Sequence, residues 1–199
     1  MNKSVGTLVE RLVDVVGTDL EDLCEAANQA ILDGNGFGWL SPPPRQVMET
    51  YWRGVLMVPE RELFVARLDS QIVGSAQLLK PPPNNEAGAH IMTLMTFFVA
   101  PWARGLGLAR GLLVATEQAA RAAGFLQLDL DVRETQEAAI KLYEESGFTR
   151  WAVREKYARI DGKFVTGYFY TKDLARSPKV QQNRRKKQEK TAAQSESMA

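Results

Sequence analysis

The stretch RGLGLARGLL, residues 104–113, places three glycines at the start of an apolar helical pattern. Glycines beside a helix start let backbone N–H groups approach an anion, most often phosphate, which the positive end of the helix dipole also attracts. The apolar run IMTLMTFFVAP precedes these glycines, and ARGLLVATEQAARAAG follows them. The sequence therefore predicts a strand, a phosphate-binding turn and an amphipathic helix in this order.

Two common phosphate-binding motifs do not fit this spacing. A dinucleotide-binding fingerprint requires G-x-G-x-x-G, but Gly105 and Gly107 are followed by Gly111, one residue too far along the chain. A Walker loop requires Lys followed by Ser or Thr directly after its last glycine, and this pair is missing here. NAD and ATP are therefore excluded as the predicted ligands.

Length and composition predict one domain over residues 1–175 and a tail over residues 176–199. The chain has 199 residues and 45% hydrophobic content, which is ample for a single core. The tail has seven basic and two acidic residues but only two large apolar ones, so we expect it to be disordered. Because the tail lacks aromatic residues and the rest of the chain is mildly acidic, a nucleic-acid partner is not expected. Phosphate contact by residues 184–187 remains the alternative.

Cysteine usage and hydropathy limit the location and the chemistry of the protein. Cys24 is the only cysteine, which excludes an intrachain disulfide and a cysteine metal site, and its apolar helical surroundings predict buried packing. No run of about 18 apolar residues occurs, and charges interrupt the early apolar runs, so neither a membrane span nor a signal peptide is expected. We expect a cytoplasmic protein without a metal site.

Hydrophobic periodicity predicts the order β-α-α-β-β-β-α-β-α-β-β, an α/β or α+β layer with helices on a mixed sheet. Thr18 and Glu21 form a predicted capping box before the first helix, and Gly34 is its expected end. Asp69-Ser70 and Asp161-Gly162 are predicted hairpin turns. The first strand, TLVERLVDVV, could also be helical. The predicted strands are residues 7–16, 62–68, 71–80, 91–99, 126–132, 151–160 and 163–174, and the predicted helices are 18–33, 45–57, 107–123 and 135–148.

Two ordered blocks of the sequence resemble the GNAT superfamily of acyl-CoA-dependent N-acetyltransferases. Residues 104–109, RGLGLA, fit its phosphate motif Q/R-x-x-G-x-G/A, and Val99 and Pro101 precede them as in the family. AAIKLYEESGF, residues 138–148, is similar to the family's later A-I-x-L-Y-E-x-x-G-F segment. The resemblance extends from about residue 62 to 172. It implies a central mixed, mostly antiparallel sheet of about seven strands flanked by about four helices.

The resemblance implies acetyl-CoA as the cosubstrate, with its pyrophosphate on the backbone amides of the glycine turn. In the family, the fourth strand separates from the fifth at a bulge and leaves amides free for the pantetheine arm and the thioester carbonyl. The family often has Asn where this chain has Gln136, so the contact of that residue with the cofactor arm is in doubt. The implied cofactor-binding residues are Phe97, Phe98, Val99, Arg104, Gly105, Leu106, Gly107, Leu108, Ala109, Gln136 and Ala139.

Tyr143 is the catalytic residue that the resemblance implies, because the matching tyrosine protonates the departing thiolate in many members. A phenol pKa near 10 is close enough to that of a thiol for this role. A tyrosine that only packs on the sheet or the cofactor is the alternative. The general base stays open between His90, Asp129, Asp131 and a water chain, since the fourth strand contains no carboxylate.

The acceptor site of this fold is expected under the loop between the first two helices and beside the last hairpin. The aromatic residues there form the candidate acceptor pocket or belong to the core: Phe37, Trp39, Tyr51, Trp52 and Tyr168. A Y-W-x-x-V-L second helix and a Pro-Pro-Pro-Asn loop resemble those of bacterial small-molecule acetylators. We therefore expect a small primary amine as the acceptor and allow for a homodimer. Transfer to a protein amine and a non-catalytic acyl-CoA sensor or partner module are the competing hypotheses.

Overall fold

The computed structural model describes residues 6–34 and 38–175, which form a seven-stranded sheet with helices on both faces. The strands lie in the order β1-β2-β3-β4-β5-β7-β6, and every neighbouring pair is antiparallel except β4 and β5. This confirms the predicted fold class and element order. The elements are β1 (Thr7–Leu12), α1 (Asp19–Leu32), α2 (Arg45–Met57), β2 (Arg61–Leu68), β3 (Gln71–Leu79), β4 (Ile91–Val99), α3 (Leu108–Ala122), β5 (Gln127–Arg133), α4 (Glu137–Glu145), β6 (Thr149–Ile160) and β7 (Lys163–Asp173).

Two hydrophobic cores fill the two faces of the sheet. The core under α3 and α4 contains fully buried side chains such as Leu112 and Leu128, and the core under α1 and α2 contains Trp52 and Leu63. Fully burying one such side chain contributes roughly 1.5–3 kcal/mol relative to leaving it exposed. Cys24 belongs to the second core, so its predicted burial is confirmed.

Both predicted hairpin turns are confirmed. Asp69 and Ser70 connect β2 to β3 with φ angles of 47° and 79°, and Asp161 and Gly162 connect β6 to β7 with 48° and 78°. Positive φ at both central residues is the geometry of a type I′ turn, whose twist matches that of the flanking strands. The second turn places the long β6–β7 hairpin at the edge of the sheet.

The predicted capping box at the start of α1 is wrong. Thr18 has φ −90° and ψ 1°, not the extended backbone of a capping residue, and its side chain makes no cap hydrogen bond. Its hydroxyl instead donates to Asp22 Oδ2 at 3.4 Å, while Asp19 Oδ2 accepts from the amide of Val16 at 3.2 Å. The first strand also ends at Leu12 rather than at residue 16.

Arg67 on β2 fixes α1 on the sheet through a buried ion pair. Its two terminal nitrogens donate to the two carboxylate oxygens of Asp19 at 2.7 and 3.2 Å, and its Nε donates to Glu10 at 2.6 Å. The hydrogen bond from Arg67 is the main reason that the pKa of Asp19 lies below its ordinary value. Asp22, one turn later, accepts from the amide of Ile72 at 3.2 Å, so α1 is held at two points.

Some predictions concern residues outside the described part of the chain or properties that the fold does not reveal. The tail over residues 176–199 and the side chain of Phe37 lie outside the described residues. Among the helices within 6–34 and 38–175, none has the length and apolar character needed to cross a bilayer. The cytoplasmic location and the homodimer stay predictions.

Candidate active site

A cleft of about 880 Å³ opens in the sheet where β4 and β5 separate. The two strands pair only over the first three residues of β4, Ile91 to Thr93. Beyond Thr93 the gap is lined by side chains from both faces of the sheet. They include Phe97, Ala139 and Tyr143 on the α3–α4 side and Trp39 and Tyr51 on the α1–α2 side, and Tyr157 of β6 also lines the gap.

A bulge in β4 shapes the wall of this cleft. The register between β3 and β4 shifts between Ser75 and Gln77, where Thr96 adopts a φ of 49°. A β-branched residue rarely adopts this left-handed conformation, which costs of order 1–3 kcal/mol and is found most often at functional sites. The hydroxyl of Ser75 donates to the Thr96 carbonyl at 3.3 Å and fixes the bulge on β3.

The bulge leaves backbone donors of β4 facing the gap. The amide of Ala100 donates to the carbonyl of Val73 on β3 at 2.7 Å. Because N–H groups alternate in direction along a strand, the amides of Val99 and Phe97 point toward the side on which β5 has separated. The end of β4 therefore presents N–H donors to the cleft.

The glycine turn leads into the start of α3 with two residues in the left-handed conformation. Gly105 and Gly107 have φ angles of 80° and 79°, and a Cβ on either would meet no atom within 4 Å. The left-handed backbone therefore requires glycine here, and the space beside it is open. Gly107 is the capping residue of α3 and offers no side-chain acceptor, so the first amides of the helix remain for an external anion.

Tyr143 on α4 lies in the aromatic wall of the cleft. Its ring centroid is 5.7 Å from that of Phe97 and 5.8 Å from that of Phe148, and the residue is 4% exposed. Burial, and in second place the charge of Asp131, raises the pKa of this phenol well above its ordinary value. Its hydroxyl makes no hydrogen bond with the residues that the structure describes. Tyr143 is therefore a protonated donor at physiological pH.

Comparison with known proteins decides the family. Residues 24–148 match the model of the acetyltransferase (GNAT) family. The chain belongs to this family. It is 63% identical over 128 residues to an N-acetyltransferase from the hisH-hisA intergenic region of Azospirillum brasilense, and this match covers 64% of the chain and 76% of that relative. Together these findings confirm the prediction of an N-acetyltransferase of the GNAT family, whose enzymes use acetyl-CoA.

Other relatives match over shorter stretches or in fold alone. A mycothiol acetyltransferase of Geodermatophilus obscurus is 35% identical over 96 residues, which cover 48% of this chain but only 31% of that relative. The crystal structure of an N-acetyltransferase from Staphylococcus aureus Mu50 has a TM-score of 0.73 at 21% identity, over 85% of this chain and 99% of that one. The Salmonella typhimurium acetyltransferase yncA, solved with acetyl-CoA, has a TM-score of 0.69 at 17% identity, and the match covers 86% of this chain and 96% of that one.

Six of the residues expected in the GNAT site line the cleft, and the glycine turn over residues 104–109 lies outside its lining. On the cofactor side, Gln136 lines it, but its side-chain amide donates to the carbonyl of Gly34 at 2.8 Å. Leu108 is buried in the core and Ala109 packs against it, so only their amides face outward as donors. The expected residues that line the cleft are Trp39, Tyr51, Phe97, Gln136, Ala139 and Tyr143.

Arg104 uses its side chain within the protein. Its Nε donates to the Val99 carbonyl at 3.3 Å, and a terminal nitrogen pairs with Asp33 at 2.7 Å. This pair joins the end of β4 to the end of α1. The contribution of Arg104 to an anion in the turn is therefore limited to its backbone.

Three aromatic residues of the sequence prediction point away from the cleft. Phe98 is buried in the α1–α2 core, where its ring lies 6.5 Å from that of fully buried Trp52. Tyr168 packs against the core on the other face, under the guanidinium of Arg150 at 4.5 Å. As side chains these three are structural, and the remaining acceptor candidates are Trp39 and Tyr51.

The structure also separates the candidates for the general base. His90 is exposed at the start of β4, roughly 20 Å along the strand from Phe97. Asp129 accepts from Gln127 at 2.9 Å and from Thr171 at 2.6 Å, and it does not line the cleft. Asp131, one strand repeat later, does line the cleft and accepts a hydrogen bond from the hydroxyl of Tyr157.

Several cleft residues were absent from the sequence prediction, among them Arg61, Thr96, Tyr157 and Arg159. Arg61 begins a chain of hydrogen bonds, because it donates to Gln77 at 2.9 Å, whose amide donates to the Tyr51 hydroxyl at 2.9 Å. That hydroxyl lies 3.3 Å from Thr96 Oγ1. The chain links the entrance of the acceptor side to the bulge, and no local motif in the sequence marks it.

Proposed function

We propose that this enzyme transfers the acetyl group of acetyl-CoA to the primary amine of a small molecule. The observation that carries the proposal is the cleft between β4 and β5, where Phe97, Ala139 and Tyr143 face an aromatic and charged acceptor side. Its volume of about 880 Å³ falls within the range of roughly 300–1,000 Å³ that is usual for small-molecule sites. Aromatic side chains of Trp39, Tyr51 and Tyr157 line the cleft, which favours a compact acceptor over a protein chain.

The donor side supplies backbone hydrogen bonds and no charged side chain. The amides of the glycine turn and of the first turn of α3 would bind the pyrophosphate of acetyl-CoA. When bound, acetyl-CoA supplies an acetyl carbonyl that a thiol leaving group has activated. The amides of Phe97 and Val99 face the gap, where they would stabilise negative charge on the carbonyl oxygen during attack by the amine.

Tyr143 serves as the proton donor in this proposal. The amine nitrogen forms a bond to the carbonyl carbon, the carbon–sulfur bond breaks, and the phenol gives its proton to the sulfur. The amine loses a proton to solvent or to a carboxylate of the cleft, and solvent restores the phenol. Because burial keeps Tyr143 protonated, the donor is available throughout the physiological pH range.

The test is to incubate the purified protein with labelled acetyl-CoA and a cell extract that has been separated into small molecules and macromolecules. We expect label in the small-molecule fraction. Tyr143→Phe should lower the rate of transfer by about 10²-fold or more and leave the affinity for acetyl-CoA unchanged. Tyr170→Phe is the matched control, since Tyr170 lies beside Tyr143 but donates to Glu144 outside the cleft.

Other outcomes would select a competing function. Label in the macromolecule fraction would indicate a protein amine as acceptor. Saturable acetyl-CoA binding without transfer to either fraction would favour a non-catalytic acyl-CoA sensor. An unchanged rate with Tyr143→Phe would remove this residue from the proton transfer and leave the acceptor class standing.

A further inference from the structure

We propose that the acceptor is a zwitterion, a small amine that also carries an anionic group such as a carboxylate, with its ammonium at Asp131 and its anion at Arg61 and Arg159. This inference rests on the proposed function and specifies the substrate class of the same cleft. It comes from the charged side chains on the acceptor side, which the transfer of the acetyl group does not itself require.

The acceptor side of the cleft has more positive than negative charge. Among the described residues that line it, three are arginines, Arg61, Arg133 and Arg159, and one is an aspartate, Asp131. None of the four belongs to the glycine turn, which lies at the start of α3. The phosphates of acetyl-CoA therefore do not account for these arginines.

Asp131 is held in a fixed position by Tyr157. The Tyr157 hydroxyl donates to Asp131 Oδ2, and its ring packs on the backbone of Gly167, where a Cβ would overlap the ring. Phe169 meets the same ring edge-on at a centroid distance of 6.0 Å. Burial and the hydrogen bond to Asp131 raise the pKa of Tyr157 to about 12, so it remains a donor at working pH.

This arrangement leaves one oxygen of Asp131 for a ligand. Within the described ranges, no side chain or amide donates to Oδ1. Asp131 and Tyr143 line the same cleft, at the gap between β4 and β5. An ammonium bound at Asp131 would therefore lie in the cleft that Tyr143 faces.

Arg61 has neutral partners and keeps its charge for a ligand. It donates to the side-chain oxygen of Gln77 at 2.9 Å, and in the described part of the chain no carboxylate lies within 4.0 Å of Arg61 or of Arg159. Arg159 donates to the carbonyl of Gly162 at 3.4 Å and lies over the ring of Phe164. A guanidinium without a carboxylate partner is a strong site for a carboxylate or phosphate.

The charged side chains belong to one cleft of small-molecule size. Arg61, Asp131 and Arg159 all line the space of about 880 Å³ that opens where β4 and β5 separate. Clefts of roughly 300–1,000 Å³ are usual for small-molecule sites. The ammonium and the anion of one acceptor can therefore be bound within the same cleft.

The charge of the product provides the test. Acetylation of a zwitterion removes the ammonium and leaves a net anion, whereas acetylation of a simple amine leaves a neutral amide. Full-length enzyme is incubated with labelled acetyl-CoA and the small-molecule extract, residual acetyl-CoA is removed on charcoal, and the products pass over an anion exchanger at pH 7. We expect the labelled product to be retained, and label in the flow-through would overturn the inference while supporting the proposed function.

Arginine variants then test the anion site with two substrates. One is the acceptor identified in this way, and the other is its derivative in which a neutral carboxamide replaces the anionic group. We expect wild-type kcat/KM to favour the anionic form by about tenfold or more, and Arg61→Met and Arg159→Gln each to reduce this preference. Arg53→Gln, on the exposed side of α2 away from the cleft, should leave it unchanged. Equal use of both forms by the wild type, or a preference that survives in a folded Arg159→Gln, would overturn the inference. If no small molecule is labelled at all, the proposed function itself fails.

Discussion

The ring of Tyr143 on α4 lies 5.7 Å from the ring of Phe97, the first residue after the strained Thr96 of the β4 bulge. The bulge thus places the Phe97 side chain beside Tyr143, the proposed proton donor, and a backbone amide of the same segment in the gap. Phe97→Ala should remove the support of Tyr143 but keep the amide. Because a displacement of about 1 Å can cost about 10²-fold in rate, we expect kcat to fall by about one to two orders of magnitude.

Single-turnover and binding measurements check the Phe97 prediction. The dissociation constant of acetyl-CoA should change little, since the glycine turn is untouched. Met92→Ala removes a buried side chain from the same strand and the same core but outside the cleft lining, so it controls for lost packing. Equal losses of kcat in the two variants would contradict a specific role for Phe97.

The glycine turn gives a prediction about cofactor affinity. Gly107→Ala forces an alanine into a φ of 79°, which costs about 1–2 kcal/mol and moves the amides at the start of α3. We expect acetyl-CoA to bind at least about tenfold more weakly, as measured by calorimetry. Gly124→Ala is the matched control, because Gly124 at the other end of α3 has a φ of 84° and equally open surroundings. A similar loss of affinity in both variants would mean that strain, not the turn, is responsible.

The buried pair of Asp19 and Arg67 gives a prediction about stability. Both side chains are largely buried, at 5% and 14% exposure, so Asp19→Asn should leave the buried guanidinium with the more exposed Glu10 as its remaining carboxylate and cost about 1–3 kcal/mol in the free energy of unfolding. Urea unfolding at pH 7 measures this loss. Glu49→Gln, which breaks the more exposed pair with Arg45, should cost about 0.5 kcal/mol or less.

The same pair predicts the direction of a pH effect. The pKa of Asp19 is lower in the folded than in the unfolded protein, where it is about 3.8. Its stabilising contribution is therefore complete above pH 4 and is lost as the pH falls through the lower, folded pKa. The difference between wild type and Asp19→Asn should shrink in urea titrations below pH 4. A difference that grows in this range would show that the pair does not stabilise the charged carboxylate.

Local spacing made much of the fold and of the donor site predictable. The glycine turn, the helix that follows it and the position of Tyr143 depend on residues within a few turns of one another. Other contacts depend on tertiary packing. Gln136 is diverted to Gly34 and Arg104 to Asp33, across 102 and 71 positions of the chain. No pattern in the sequence indicates that these two side chains have partners within the protein.

Bulges explain why some cleft residues could not be predicted. If side chains alternated strictly between the two faces of the sheet from Leu94 onward, Phe98 would lie on the same face as Leu94. The bulge at Thr96 instead places Phe97 on the face of Leu94 and Phe98 on the opposite face. A second irregularity lies in β6 between Arg154 and Ala158. It breaks the alternation just before Tyr157, so the sequence gives no signal that this tyrosine faces Asp131.

The close approach of β3 to β4 beside the bulge provides a final prediction. A Cβ on Gly74 would lie 2.6 Å from the Phe98 carbonyl oxygen, a backbone atom that cannot move aside without shifting the bulge. Gly74→Ala should therefore lower both the free energy of unfolding, by about 1–3 kcal/mol, and the acetyl-CoA affinity. Gly54→Ala in α2 has open space and a helical backbone, so it should raise stability by roughly 0.5–1 kcal/mol and leave binding unchanged. If Gly74→Ala destabilises the protein but binds acetyl-CoA normally, the amides at the end of β4 do not contribute to donor binding.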